Sequence, residues 1–336
     1  MAKLRIALVG CGQYAGAHAM RLAAHPDAEV VACVDVRDDI VHGFIHRHLS
    51  SPPAGSHRPK AYIDLGQMLH HAKPDAAVIA TPHTLHLEHA MAALDAGCHV
   101  FLEKPMVTHA NDAYALRDKV QRTGRVLIVG YNTPSTPEFR YLRDVIAHPD
   151  GANGLGDLEI INGYLSQNWM RWTNGTWRQD PTLSGGGMAY DSGAHILNSL
   201  CWSVGHHVAE VFAFVDHRGC KVDVNAAINI RFKNGVLATL TIAGNCPSDG
   251  SHMAFCFAGG RVEIDGWYGS WINIHNAYGR VKYPPIAGPN QTPDDNFIDA
   301  IRGRAEPLVT VEHGVIQCEL MDAIYESAKT GRPVRI

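Results

Sequence analysis

Two ionisable residues stand four apart in the middle of the 336-residue chain, Asp191 and His195, just behind the run Gly185-Gly186-Gly187. On a helix, residues four apart lie one turn apart on the same face. A carboxylate beside an imidazole holds the ring in one tautomer and stabilises its protonated form, which is how an acid/base pair is built. The same pair is also a satisfied polar contact in an ordinary core. Three glycines let the backbone turn sharply and pass close to a ligand. Ile196, Leu197, Leu200 and Trp202 form an apolar stripe, so a helix is expected over 188–203.

A second chemical group lies at the N-terminus. Leu4 to Val9 reads as a buried strand, Gly10-Cys11-Gly12-Gln13-Tyr14-Ala15-Gly16 as a turn, and Ala17 to Ala24 as a helix. Gly10 permits the turn, and Gly12 lets backbone N–H groups approach a pyrophosphate. The helix N-terminus adds donors and a favourable dipole, with Gln13 and Tyr14 in its first turn. The third small position of the fingerprint is Ala15 or Gly16. Asp35 ends the next strand, where a carboxylate accepts hydrogen bonds from adenosine ribose hydroxyls. Its charge favours NAD over NADP; Arg37, two residues on, weakens that argument because it can pair with a 2′-phosphate. A plain strand–turn–helix without ligand is the competing reading.

These residues need a scaffold. Strands at Ala76–Ala80, Cys98–Leu102 and Val126–Val129 alternate with helices near 64–72, 85–96 and 110–122, the pattern of a doubly wound parallel sheet. In such a sheet ligands bind outside the carboxyl ends of the strands. Thr81-Pro82-His83, Glu103-Lys104-Pro105 and Gly130-Tyr131-Asn132 all follow strand ends and are expected along one edge, with His86 close behind. After residue 132 the pattern changes to a helix at 136–147 and alternating strands at 157–166, 208–216, 223–232, 235–243, 253–258 and 261–265. Asn234-Gly235 and Gly259-Gly260 are hairpin signals. Helices near 293–303 and 312–329 close the chain. The expectation is a dinucleotide-binding domain over 1–132. A substrate-binding and oligomerisation domain with a large, mostly antiparallel open sheet follows over 133–336, its C-terminal helix able to return to the first domain.

Trp169, Trp172 and Trp177, with Arg178 and Asp180, precede the glycine run. Flat rings bind the apolar faces of sugars while charged groups take hydroxyls; the same tryptophans also suit a sheet core or a subunit interface. His83, His86 and His89 are three apart, which spreads them over about 120° of a helix. With no cysteine or paired carboxylate joining them, no metal site is expected.

Bulk properties set limits. The formal net charge is -4, and no basic run is present, which argues against nucleic acid or anionic membrane as a partner. The eight cysteines form no C-x-x-C pair and read as reduced thiols of a cytoplasmic protein. The apolar run 4–9 is too short for a signal peptide, and no run approaches the ~18–20 apolar residues of a membrane span.

Taken in order, Gly10-x-Gly12, Thr81-Pro82, Glu103-Lys104-Pro105, and Gly185-Gly186-Gly187 leading to Asp191 and His195 resemble the Gfo/Idh/MocA oxidoreductases, over nearly the whole chain. The resemblance implies a Rossmann domain followed by an α/β domain whose open sheet forms a homodimer or homotetramer face. It implies Lys104 and His195 as catalytic residues with Asp191 beside them, and oxidation of a secondary hydroxyl of a sugar, cyclitol or polyol with NAD. Lys104, Asn132, Trp169, Trp177, Arg178, Asp191 and His195 are then the candidate substrate contacts. Two other functions stay open: redox-neutral glycoside cleavage through a transient keto-sugar, with Tyr190 or a histidine as the further acid/base, and a non-catalytic nucleotide sensor.

Overall fold

The computed structural model describes residues 2–51, 57–205 and 207–336. Residues 52–56 of the expected loop at 50–60, and His206, therefore lie outside the described residues. The chain forms two compact units.

The first unit runs to Val107 and adds Asn111–Gly130 and Thr292–Gly314. Its sheet comprises β1 (Leu4–Val9), β2 (Ala28–Val34), β3 (Lys60–Tyr62), β4 (Ala76–Ile79), β5 (His99–Leu102) and β6 (Leu127–Val129). All pairs are parallel, in the order β3-β2-β1-β4-β5-β6. This is the strand order of a doubly wound dinucleotide fold, with its switch point between β1 and β4. The connecting helices are α1 (Gln13–Ala24), α2 (Asp38–His48), α3 (Leu65–Ala72), α4 (His86–Asp95) and α5 (Ala110–Thr123). Strands buried on both faces explain the near-continuous apolar runs at 4–9 and 76–79. β3 was not anticipated: three residues beside a Pro/Ser-rich loop are too few for a periodic signal.

The second unit contains Thr108–Ala110, Tyr131–Gln291 and Val315–Ile336. It is built on nine strands: β7 (Leu158–Ser166), β8 (Val208–Asp216), β9 (Asn225–Phe232), β10 (Leu237–Ala243), β11 (Gly250–Phe257), β12 (Gly260–Ile264), β13 (Ile272–Asn276), β14 (Gly279–Arg280) and β15 (Val334–Arg335). The order is β14-β13-β12-β11-β7-β10-β9-β8-β15. Every pair is antiparallel except β7 with β10. Both hairpin signals fall at turns: β9 pairs with β10 across Asn234-Gly235, and Phe257 pairs with Gly260 across Ala258-Gly259.

Along β9 the residues alternate buried and exposed, Ala226, Ile228, Ile230 and Phe232 pointing into the core. That face is packed by α6 (Pro137–Ala147), by α9 (Gly193–Val204) and by the C-terminal half of α11 (Val311–Thr330). Three shorter pieces are the four-residue helices α7 (Trp169–Trp172) and α8 (Pro181–Ser184) and, in the first unit, α10 (Pro293–Ile301). Phe297 and Ile298 of α10 insert into the core around β1. On the opposite sheet face Ile160, Tyr164, Phe214 and Leu237 are exposed. No described helix is long and apolar enough to cross a membrane.

Candidate active site

In the first unit the Gly-rich turn divides its labour. Gly10 has φ +87°, and a Cβ there would meet the Ala80 carbonyl oxygen at 2.7 Å, so this position needs glycine for conformation and for packing. A Cβ on Gly12 would meet nothing within 4 Å; the space beside it is open. Gly12 is the N-cap of α1, and no side chain caps that end. An approachable backbone at a helix N-terminus suits a pyrophosphate, with Gln13 and Tyr14 exposed in the first turn. The third position also resolves. Ala15 is buried in the core, and a Cβ on Gly16 would lie 2.9 Å from the His48 ring, so the two small residues let α1 pack down on β-sheet and on α2 respectively.

Asp35 stands at the end of β2 with its carboxylate already oriented. The Cys11 N–H donates to Oδ2 at 3.0 Å and the Arg37 N–H to Oδ1 at 3.1 Å. Two carboxylate oxygens offer about four acceptor sites, so capacity remains for ribose hydroxyls. The Arg37 guanidinium pairs with Asp39 at 2.7 Å on the surface.

At the ends of β4 and β5 the candidates sort differently. The Thr81 hydroxyl lies 3.0 Å from His89 Nδ1. His83 is buried and Pro82 half-buried at the start of a short 3₁₀ turn. His86 was expected to contact cofactor, but it is fully buried. Its Nδ1 lies 2.8 Å from the Pro105 carbonyl and its Nε2 2.9 Å from the Thr81 carbonyl. It fastens the two strand ends to each other and has no ring nitrogen left for a ligand. Among the described residues, no group of three His, Cys, Asp or Glu is placed to hold a metal ion. Glu103 accepts the Lys104 backbone N–H through Oε2 at 3.1 Å, and Lys104 is buried.

In the second unit Asp191 and His195 are both buried. The helix begins at Gly193, later than expected, so Asp191 lies in the turn ahead of α9 rather than on it. Asp223 anchors this turn. Its Oδ1 accepts the Gly187 N–H at 2.7 Å, its Oδ2 the Ala189 N–H at 2.8 Å, and its backbone carbonyl the Met188 N–H at 2.9 Å. Beyond them the Gly193 N–H reaches back to Met188 O at 2.7 Å. The Tyr325 hydroxyl completes the anchor by donating to Asp223 Oδ1 at 2.6 Å.

The glycine run therefore serves internal packing and not ligand approach, which corrects the first expectation. A Cβ on Gly187 would sit 1.9 Å from Asp223 O, on Gly186 2.4 Å from the Tyr325 hydroxyl, and on Gly185 2.5 Å from Thr108 Cγ2.

Asp191 is held by two donors, Trp169 Nε1 at 2.9 Å and Arg178 Nε at 3.0 Å, both on Oδ2. Arg178 in turn stacks on the Trp177 ring at 4.5 Å. Trp169 is itself only 2% exposed. It was a candidate sugar platform; its burial and its bond to Asp191 make it a brace for the carboxylate. Trp177 is half-buried and Asn132 also half-buried at the start of a 3₁₀ turn. The His195 ring packs 4.3 Å from Trp267 and 5.8 Å, edge-on, from Tyr131. Trp267 also borders a cavity of about 440 Å³ whose walls include Tyr164, His252, Tyr268 and Trp271. Tyr190 is 1% exposed and burial pushes its phenol well above the usual range, so it is a core residue.

Sequence reasoning missed Asp223, Trp267, His18 and Asp294. A lone aspartate near a strand start and a tryptophan far down the chain carry no local signal. His18 did carry one: it falls on the buried stripe of α1 with Ala15, Ala19 and Leu22.

Comparison with known proteins places this architecture. Residues 4–131 match the model of an oxidoreductase family with an NAD-binding Rossmann fold, GFO_IDH_MocA, and residues 139–272 match the GFO/IDH/MocA C-terminal domain. Among similar proteins, a D-glucoside 3-dehydrogenase of Escherichia coli (strain K12) is 25% identical over 99% of this chain and 97% of its own. A scyllo-inositol 2-dehydrogenase (NADP(+)) of Bacillus subtilis (strain 168) is 27% identical over 78% and 79%. The solved structure of an NAD-binding protein from Listeria innocua, 25% identical, covers 99% of this chain and 97% of its own with a TM-score of 0.82.

Proposed function

Since the chain belongs to the Gfo/Idh/MocA family of oxidoreductases and carries that family's NAD-binding Rossmann fold, we propose that it moves a hydride between nicotinamide and a secondary hydroxyl carbon of a sugar, cyclitol or related polyol. The observation that carries this reading is Asp191: a buried carboxylate that accepts from the Trp169 indole N–H and pairs with the Arg178 guanidinium, four residues ahead of a buried histidine. Relatives named for a glucoside and an inositol support a polyhydroxylated ring as substrate. The aromatic-walled cavity beside Trp267 supports the same class, since flat rings stack on the apolar face of a pyranose.

Removing a hydride from a carbinol carbon leaves a carbonyl and requires a base for the hydroxyl proton; NAD⁺, when bound, supplies the hydride acceptor. His195 takes the proton, and Asp191 stabilises the imidazolium that results. Lys104 stabilises negative charge developing on the same oxygen. Asn132, Trp177 and Arg178 contribute to substrate recognition. Gly10, Gly12, Gln13 and Tyr14 hold the pyrophosphate, Asp35 the adenosine ribose, and Thr81, Pro82, His83, Glu103 and Lys104 the nicotinamide end. The first compact unit forms the dinucleotide-binding domain and the second the substrate domain, with Thr292–Gly314, expected in the second, belonging to the first.

The bound form is NAD in preference to NADP, because Asp35 repels a 2′-phosphate and Arg37 is paired with Asp39. The exposed sheet face supports assembly into a homodimer or homotetramer, and eight free cysteines support a reducing, cytoplasmic location. The test is a panel of aldoses, glycosides and inositols offered with NAD and with NADP, following both reduced nicotinamide and any released aglycone. The proposal predicts reduced NAD with at least one polyol and no aglycone release. Aglycone release without net reduction would replace it with the redox-neutral reaction.

A further inference from the structure

His18 lies in the second turn of α1, 3% exposed, and is flanked by two carboxylates. Its Nδ1 is 2.6 Å from Asp294 Oδ1 on α10, and its Nε2 is 3.0 Å from Glu103 Oε1 at the end of β5. Arg21, one turn along α1, pairs with the other Asp294 oxygen at 3.0 Å. The Phe101 ring closes the site edge-on at 4.8 Å. An ionised carboxylate only accepts hydrogen bonds, so a ring with a carboxylate at each nitrogen must donate from both. The geometry requires an imidazolium.

Glu103 has both oxygens fixed: Oε1 on His18 and Oε2 on the Lys104 backbone N–H. The adjoining wall is tight, since a Cβ on Gly130 would lie 3.0 Å from Glu103 Oε1. A buried carboxylate in this place needs a nearby cation. The charged groups facing the cluster are Glu103 and the neighbouring Lys104 from the β5 end, Asp294 from α10, and Arg21 from α1 itself.

We propose that His18 is a charged positioning residue: its two ring nitrogens tie Glu103, at the end of β5, and Asp294, on α10, to α1, so that the Glu103 carboxylate is held where it fixes the Lys104 backbone. Burial alone depresses the pKa of the ring, and the two carboxylates more than reverse this, holding it at about 10. This inference rests on the role given to Lys104 above, and its charge component is tested without any turnover.

The experiment uses the full-length protein. Nitrogen NMR of the His18 ring reads its protonation directly, and the imidazolium signature is expected to persist to pH 9. Turnover is read with NAD and methyl α-D-glucoside, or with the best substrate of the panel, in His18→Gln and in the double variant His18→Gln/Glu103→Gln. His18→Gln keeps a donor but removes the charge. It is expected to lower kcat by tenfold or more with KM for NAD changed less than threefold. The double variant removes the stranded carboxylate as well. It is expected to recover at least part of kcat and of the melting temperature lost in the single variant. A purely spatial role for His18 predicts the double variant to be no better than the single one. That result, or titration of His18 below pH 8, overturns the proposal. If Lys104→Ala is as active as wild type while His18 stays charged and the double variant regains only its melting temperature, the fault lies with the role assigned to Lys104 and the positioning proposal falls with it.

Discussion

The indole N–H of Trp169 donates to Asp191 Oδ2 at 2.9 Å, and both residues are buried. This bond decides what Trp169 is for: one large side chain fills the core under β7 and fixes the carboxylate proposed to serve the acid/base chemistry. Trp169→Phe keeps most of the packing and removes only the donor. We expect it to cost about 1–3 kcal/mol of stability, the range for loss of a buried partner, and to lower kcat more than it changes substrate KM. Urea melts and steady-state kinetics on the same preparations check both. An unchanged kcat would show that Asp191 needs no brace.

Glycine at 187 is demanded by the Asp223 backbone, 1.9 Å from where a Cβ would be. Gly187→Ala forces the 185–193 turn away from its anchor. A loss of about 1–3 kcal/mol is expected, the range for overpacking a rigid site, together with loss of activity. Gly12→Ala, at a position where a Cβ would meet nothing within 4 Å, should leave the melting temperature of the cofactor-free protein nearly unchanged and weaken NAD binding. Thermal melts with and without NAD separate the two outcomes. Equal destabilisation by both substitutions would contradict the division of labour between the two glycine turns.

Asp35 both orients the Gly-rich turn, through Cys11 N–H, and faces the position given to the ribose. Asp35→Ala should weaken NAD binding by roughly 10–100-fold, the equivalent of one or two hydrogen bonds to a charged group, and narrow the preference for NAD over NADP. Asp39→Asn releases Arg37 and should improve NADP affinity without harming NAD. Fluorescence titrations with both nucleotides measure this; a wild-type preference for NADP would refute the Asp35 assignment.

The His18 cluster gives stability a pH dependence of definite sign. A histidine whose folded pKa, about 10, exceeds the unfolded value of 6.5 contributes fully below pH 6.5 and loses that contribution as pH rises towards 10. Wild type should thus lose melting temperature between pH 7 and 10, and His18→Gln should show a flatter profile over that window. Glu103 and Asp294 are held below the usual carboxylate range against the upward push of burial, chiefly by His18, so their contribution is lost at the acid end instead. Parallel alkaline profiles for the two proteins would contradict a charged His18.

Much of this was legible before any coordinates. The N-terminal βα pattern could be read because buried parallel strands are continuous apolar runs and each turn carries Gly or Pro. Gly10, Gly12 and Asp35 are tied to that pattern by short-range geometry, and so their places followed from it. What stayed hidden depends on long-range contacts. Asp223 and Tyr325 anchor the turn ahead of α9 from distant parts of the chain, and no local preference records that. Trp169 looks the same in sequence whether its ring faces a sugar or a carboxylate. His86 was read as a ligand because it follows a strand end; that both nitrogens meet carbonyls of two different loops is a property of the fold. The exposed residues of β7, β8 and β10 were foreseeable from the period-two alternation, and light scattering at micromolar concentration is expected to find a dimer or tetramer. Phe214→Lys and Leu237→Lys together should weaken that assembly.

The most direct measurement of the central claim is the turnover of His195→Ala relative to wild type, on the best polyol with saturating NAD. The account predicts a loss of about 10²–10⁴-fold, the usual range when a general base is removed, with NAD affinity little changed and the pH dependence of kcat/KM altered. Near-normal turnover with an unchanged pH profile would contradict it, and would leave residues 185–195 as a structural turn and helix without a part in the proton transfer.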